Sequence, residues 1–423
     1  MTTDETEINL DATDTNESNR RAEKAKKVTF SENIQSQGMI DFAGITVLVI
    51  RLSPDEKYWV AGLRNGTIKL IPTNRSSNEL VQTLHVEEEK FACVDICCIP
   101  PQAHFPSEKN KRCVAVYASG TVRIWYYQGA TASSRLLATH QEEKITKMEG
   151  SDFGPKGKRH YNQLLACSCS FDSQRFVTAG DDFHIRVYDL NENACVRVLS
   201  SSFTSERMDG HVMRICAVKY HPRGAYQEDY SHIFISGSWD DTVQVWDDRF
   251  VHSLWVYGGP HISGSDALDI EPTSNTILTS SWRHDSTILQ ASTNIWKFSD
   301  KIIPRMRYSV EVGNTRFTTE YDVTEMNEAM NERPIEEVPQ SSFEVRSKGY
   351  VARWIGAHYI AFGGSEANTL RIMTRNKPKP VAAITELPNG VFSLAYLTTP
   401  TEDSKNSIQL AIASGSSVYL ARI

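Results

Sequence analysis

The chain has 423 residues, 40% hydrophobic and 23% charged, the balance of a globular protein rather than a disordered one. Its formal net charge of −7 at pH 7 argues against nucleic acid as a partner, because affinity for phosphate comes from clustered Lys and Arg. No apolar run reaches the ~18 residues of a membrane-spanning helix, and the polar, acidic start does not match a secretory signal, so no membrane association is expected.

In chain order, residues 1–38 read as a disordered tail. Residues 1–19 carry six carboxylates and no Lys or Arg, and the run RRAEKAKK (20–27) then carries five positive charges. So few apolar groups cannot offset the entropy of ordering. From about Ile45 a unit recurs: an apolar run, a turn, a second apolar run ending in small residues, a tight polar turn, and a third alternating strand. The third strands are GTIKLI (66–71), GTVRIW (120–125), HIRVYD (184–189), DTVQVWD (241–247), STILQ (286–290), NTLRIM (368–373) and SSVYLARI (416–423). Short strands rich in Val and Ile, separated by turn residues, predict an all-β fold built from repeats.

Seven markers, from Ile68, Val122 and Ile185 through Val243 and Ile288 to Leu370 and Val418, predict seven units in a domain spanning 39–423. The gap between Ile288 and Leu370 is the largest. It holds an acidic insertion at about residues 310–345, with seven carboxylates and one Arg in 320–338. The alternative is that residues 299–348 hide an eighth, degenerate unit. The last unit ends inside its third strand, so residues around Ser36–Ala43 are expected to supply the missing outer strand.

Residues 209–249 carry the most specific signal: DGHVMRICAVKYHP, a loop, then HIFISGSWDDTVQVWDDR. This segment resembles a WD repeat, with its Gly-His start, its small-residue run and its Trp-Asp end. The resemblance implies an all-β WD-repeat β-propeller of seven four-stranded blades, with eight as the alternative. It further implies a structural tetrad of His211, Ser236, Asp240 and Trp246, in which the indole donates to the Ser hydroxyl, Ser to His, and His to Asp. A Ser, a His and an Asp also suggest a hydrolase triad. Without a G-x-S-x-G elbow, and with the repeat accounting for all three, that reading is set aside.

Two short motifs go beyond the scaffold. Lys26-Lys27-Val28-Thr29-Phe30 resembles the docking motif of protein phosphatase 1 regulators, in which an extended peptide drops alternate side chains, here Val28 and Phe30, into apolar pockets. Phosphorylation of Thr29 would place charge beside such a pocket and weaken docking. The ending Trp246-Asp247-Asp248-Arg249 resembles the box of cullin-4 ubiquitin ligase substrate receptors, which implies that Asp247 and Arg249 touch the ligase adaptor.

No Gly-rich phosphate loop, H-E-x-x-H or EF-hand motif occurs, so no catalytic residue, cofactor or metal is expected. The eight cysteines (Cys93, Cys97, Cys98, Cys113, Cys167, Cys169, Cys195 and Cys216) form no C-x-x-C pair and read mostly as buried reduced thiols. The expectation is a non-enzymatic scaffold or adaptor in a multiprotein complex, in the cytoplasm or also the nucleus. Phosphatase 1 targeting and ligase substrate selection are its specific alternatives.

Overall fold

The computed structural model describes residues 28–74, 82–101, 111–127, 134–145, 160–203, 208–283, 293–297, 336–337, 347–375, 379–400 and 406–423. Two strands precede the first repeat, β1 (Thr29–Phe30) and β2 (Gln35–Asp41). Blade 1 is β3 (Val47–Leu52), β4 (Tyr58–Leu63), β5 (Ile68–Pro72) and β6 (Gln82–Leu84). Blade 2 is β7 (Cys93–Cys98), β8 (Arg112–Tyr117), β9 (Thr121–Tyr126) and β10 (Arg135–Gln141). Blade 3 is β11 (Leu164–Cys169), β12 (Arg175–Gly180), β13 (Ile185–Asp189) and β14 (Ala194–Leu199). Blade 4 is β15 (Ile215–Tyr220), β16 (Ile233–Ser238), β17 (Thr242–Asp247) and β18 (Trp255–Gly258). Blade 5 is β19 (Leu268–Glu271), β20 (Thr276–Ser280), β21 (Thr293–Lys297) and β22 (Glu336–Glu337). Blade 6 is β23 (Lys348–Ile355), β24 (Tyr359–Ser365), β25 (Leu370–Thr374) and β26 (Pro380–Thr385). Blade 7 is β27 (Val391–Pro400), β28 (Asn406–Ser414) and β29 (Ser417–Arg422).

Among the described residues the strands form seven sheets, each an antiparallel meander from first strand to last. Blade 7 takes β2 as its outer strand, in register from Gln35↔Arg422 to Asp41↔Ser417, so the two chain ends close the ring as the truncated last repeat requires. Blade 6 gains a fifth strand, because β1 adds to β26 through Thr29↔Thr385 and Phe30↔Ile384. Composition placed residues 28–38 in the tail. Pairing with the C-terminal blades overrides that local polarity, and the boundary drawn at residue 38 falls inside β2. In blade 5 the third strand is β21, not residues 286–290, which lie outside the described residues; pairing with β20 sets the register at Thr279↔Asn294. Both segments alternate, so the sequence pattern had no means of choosing between them.

The core lies between neighbouring blades rather than at one centre. Val47, Ile50 and Trp59 of blade 1 pack with Ala395, Leu397 and Leu420 of blade 7, and Ile235 and Val245 of blade 4 pack with Leu268 and Ile277 of blade 5. Small residues at or near the end of most second strands allow this approach. A Cβ added at Gly237 would sit 2.6 Å from Ile262 Cγ1, and one at Gly62 would sit 2.9 Å from Cys93 Sγ of blade 2. The first strands of blades 1, 2, 3, 4, 6 and 7 share a register shift after their first or second residue. Such a bulge adds local twist, which suits strands that gather around an axis.

Candidate functional site

The polar lock of blade 4 is built from three loops and strands. The indole Nε1 of Trp246, on β17, donates to Ser236 Oγ at 2.7 Å. Ser236, on β16, lies 2.7 Å from His211 Nε2, and His211 Nδ1 lies 2.8 Å from Asp240 Oδ2. The Val212 N–H and the Thr242 hydroxyl also donate to Asp240. Burial alone would raise the Asp240 carboxyl, but His211 and these donors outweigh it and hold it below the usual carboxylate range. His211, Ser236 and Trp246 are each 0% exposed, so Ser236 has no approach for a substrate, and its hydroxyl is already committed on both sides. The arrangement is a satisfied buried network, which rigidifies a blade, and not a nucleophile with its base.

Blades 2 and 3 fill the same place with other residues. In blade 3, Glu142 stands where blade 4 has His211: it accepts from the Thr178 hydroxyl, the Tyr188 hydroxyl and Asn162 Nδ2. Arg186, two residues before Tyr188, neutralises it at 3.1 Å and also binds Asp182. In blade 2, Glu89 pairs with Arg123 at 2.6 Å and accepts from Ser119. Sequence reading missed both. The signal that finds them is an Arg two positions before the aromatic of the third strand, at Arg123–Trp125 and Arg186–Tyr188, where blade 4 has Gln244.

A second polar network ties the seven first strands together at the axis. Arg51 on β3 binds Asp95 on β7 at 2.6 Å and Asp266, just before β19, at 2.8 Å. Asp95 also accepts the Cys167 N–H of β11, and Ser168 accepts the Tyr220 N–H of β15. Lys219 on β15 and Arg353 on β23 face Asp266 at 3.6 and 3.4 Å, and Arg353 approaches Asp269 at 3.5 Å. Ser393 and the Leu394 N–H of β27 both donate to Asp266, and the Ile50 N–H donates to Ser393 Oγ. Three cations thus meet three carboxylates. Burial would raise the Asp266 carboxyl, yet Arg51, Lys219 and Arg353 hold it far below the usual range. Lys219 is pushed down by burial and by the two guanidiniums beside it.

The two motifs read from the sequence lie apart. Val28 and Phe30 are half-buried against the blade 6–blade 7 core, while Lys26 and Lys27 lie outside the described residues. Asp247 is 0% exposed and is gripped by Arg249 through Nε at 2.9 Å and Nη2 at 2.7 Å. An adaptor therefore has no access to Asp247; only Arg249, whose side chain is 35% exposed, reaches the surface. His232, Asp247 and Asp248 bring three metal-type ligand atoms within 4.8 Å of one another. Each is already committed: Asp248 to His232, Arg175 and the Tyr220 hydroxyl, and Asp247 to Arg249. Two guanidiniums supply the positive charge there, so the cluster is read as an ion-pair network.

One face carries a ladder of rings and cations across blades 4 to 6. The Arg214 guanidinium sits 4.3 Å from the Trp239 ring centre, Trp239 stacks on His261 at 5.6 Å, His261 meets Trp282 at 6.2 Å, and Lys348 caps Trp282 at 4.7 Å. Asp241 holds His261 Nδ1 at 2.8 Å. In antiparallel blades, the loops between second and third strands and those entering each first strand open on the same face. Exposed Phe91, Ile145, Tyr161, Phe203, Val212 and Met213 all lie in the entering loops, whereas Phe171, Tyr226 and Val251 lie in the loops of the opposite face.

A buried His–Ser–Trp lock anchored by Asp, inside a ring of four-stranded blades, is what the WD repeat builds, and the chain is a WD-repeat β-propeller. The family model "WD domain, G-beta repeat" matches residues 155–189 and 200–247, which hold the whole lock of blade 4 and that of blade 3 apart from Glu142. The chain is similar to Coronin-7 of Homo sapiens, 27% identical over 115 residues, which is 27% of this chain and 10% of the relative. It is also similar to the probable coatomer subunit beta' of Schizosaccharomyces pombe, 28% identical over 127 residues, 30% of this chain and 12% of the relative. A LEC14B homolog of Prunus armeniaca is 23% identical over 211 residues, 50% of this chain and 38% of the relative. The chain thus spans between 10% and 38% of these relatives' lengths.

Proposed function

We propose that the chain is a non-enzymatic scaffold that holds other proteins on the face bearing the ring-and-cation ladder. The observation that carries this reading is the distribution of exposed apolar side chains. Six of the large ones lie in the loops entering blades 2 to 4, on the face that also bears Trp239 and Trp282, while three lie in the loops opposite. Aromatic rings, Met and Arg are the residues that dominate protein interfaces. The polar groups that resemble catalytic ones are spent on structure. Burial pushes the Cys98 and Cys216 thiols up to about 12, which keeps them protonated and poor nucleophiles. All eight cysteines are free thiols, in keeping with a cytoplasmic or nuclear location. One relative's name, a coatomer subunit, describes a component of an assembly.

The second reading is phosphatase 1 targeting through Val28 and Phe30, favoured by the two-residue strand Thr29–Phe30 that follows Val28 directly. Ligase docking is weaker, because Asp247 is buried. The test is affinity purification with quantitative mass spectrometry of the wild type, Val212→Asp/Met213→Asp, Tyr226→Asp, Val28→Ala/Phe30→Ala and Arg249→Ala. The scaffold reading expects partners lost with the first variant and kept with Tyr226→Asp. Partners indifferent to both faces would sink it. Loss of phosphatase 1 with the third variant alone, or of the ligase adaptor with Arg249→Ala alone, selects the corresponding alternative.

A further inference from the structure

We propose that Thr29 is a phosphorylation site for a basophilic protein kinase, and that its phosphate releases residues 28–33 from the edge of blade 6. The inference is independent of which partner the scaffold holds. In the sequence Lys26 and Lys27 stand three and two residues before Thr29. A kinase with an acidic substrate groove reads that pattern, because each ammonium pairs with a carboxylate of the groove while the hydroxyl reaches the ATP. Thr29 is exposed in the folded chain.

The strand that carries Thr29 is short. Its pairing covers Thr29↔Thr385 and Phe30↔Ile384. Beyond it the Ser31 N–H donates to Ala383 O at 3.0 Å, the Ala383 N–H donates to Ser31 Oγ at 2.9 Å, and Asn33 Nδ2 donates to Val381 O at 2.9 Å. The firm anchor starts at Ile34, 3% exposed, which leads into β2. The segment can therefore lift as far as Asn33 without opening the ring. A kinase groove takes an extended, unpaired peptide, so it meets Thr29 only in the lifted state.

Phosphoryl transfer forms a bond between Thr29 Oγ and the γ-phosphorus of ATP. It breaks the bond from that phosphorus to the bridging oxygen and releases ADP and the hydroxyl proton. On return to the sheet the phosphate would meet a carboxylate, since Thr29 Oγ1 faces Glu386 Oε2 at 3.4 Å. A group of about −1.5 to −2 charge beside a fixed negative charge disfavours the paired state, and the lifted state gains population.

The test uses the full-length chain, ATP and the catalytic subunit of a basophilic kinase such as protein kinase A, read by peptide mass spectrometry and hydrogen exchange. Phosphate is expected on Thr29, absent in Thr29→Val and slowed in Lys26→Ala/Lys27→Ala. In the modified chain the Ser31 and Ala383 amides should exchange about tenfold faster, the factor equivalent to 1.4 kcal/mol, while β2 keeps its protection. Glu386→Gln should restore part of that protection to the phosphorylated chain. The proposal is overturned if Thr29 stays unmodified both in the native chain and in Phe30→Ala, whose strand is loosened. It is equally overturned if Thr29 is modified and exchange at Ser31 and Ala383 does not change, or if Glu386→Gln restores nothing.

Discussion

The first two strands among the described residues lie four residues apart and do opposite work. β2 pairs through six of its seven residues with β29 and completes a blade that would otherwise have three strands. β1 pairs over two residues with β26, on a blade that already has four. Ile34, between them, is buried in the core shared by blades 6 and 7, with Val28 and Phe30 only packed against its rim. Both strands come from the same polar stretch, so composition does not separate them. Topology does. A strand that fills a gap in a ring carries the closure of the whole fold, because an open sheet edge otherwise remains. A strand added outside a finished sheet carries little beyond its own few contacts.

The largest effect should follow truncation through β2. Deleting residues 1–43 bares the outer edge of β29 and the apolar side chains beneath it, and a fall of roughly 10 °C in melting temperature is expected, corresponding to several kcal/mol. Calorimetry showing an unchanged transition would erase the distinction drawn here. Next comes Ile34→Ala, a buried truncation that should cost ~2–4 kcal/mol in urea unfolding with an unchanged m-value. A cost under half that would mean the anchor lies elsewhere.

Phe30→Ala should cost about 1 kcal/mol or less, since the ring is half-buried and blade 6 keeps its four strands. Deleting residues 1–30 should likewise leave the melting temperature nearly in place; a large drop would show that β1 also bears on closure.

The smallest effect concerns pH at the far end of β2. The Asp41 carboxyl accepts hydrogen bonds from Ser416 and Ser417, which hold it below its ordinary value. A carboxyl depressed in the folded state stabilises above its unfolded pKa of about 3.9, and that contribution is lost as pH falls through the folded value. Exchange at the end of β2, corrected for intrinsic rates, should therefore quicken below about pH 4 in the wild type and lose this step in Asp41→Asn. Equal profiles for the two chains would show that these hydroxyls do not matter.

How legible the site was in the sequence depended on how standard its chemistry is. His211, Ser236, Asp240 and Trp246 stood out because one repeat keeps all four at their customary spacing, and the structure brings them together. Glu142 and Glu89 did not, because a carboxylate in place of His takes its Arg from a third strand more than thirty residues on, and the Arg two positions before the aromatic marks only one side of that pairing. Arg51, Asp95, Lys219, Asp266 and Arg353 were invisible for the same reason. Each looks like one polar residue beside an apolar strand, and only the ring brings them within 2.6 to 3.6 Å of a partner.

The sequence by itself determined what is periodic and local: an all-β chain, seven repeated units, small residues where blades approach, and a last repeat lacking its outer strand. Tertiary structure alone decided what depends on distant segments meeting. It selected Thr293–Lys297 as the third strand of blade 5, buried Asp247 beneath Arg249, and gathered three cations and three carboxylates at the axis. It also drew residues 29–41 out of a polar tail into two sheets. The physical reason is the same in each case. A strand's hydrogen bonds and a buried charge's partner are supplied by other parts of the chain, so neither can be read from the residues on either side of it.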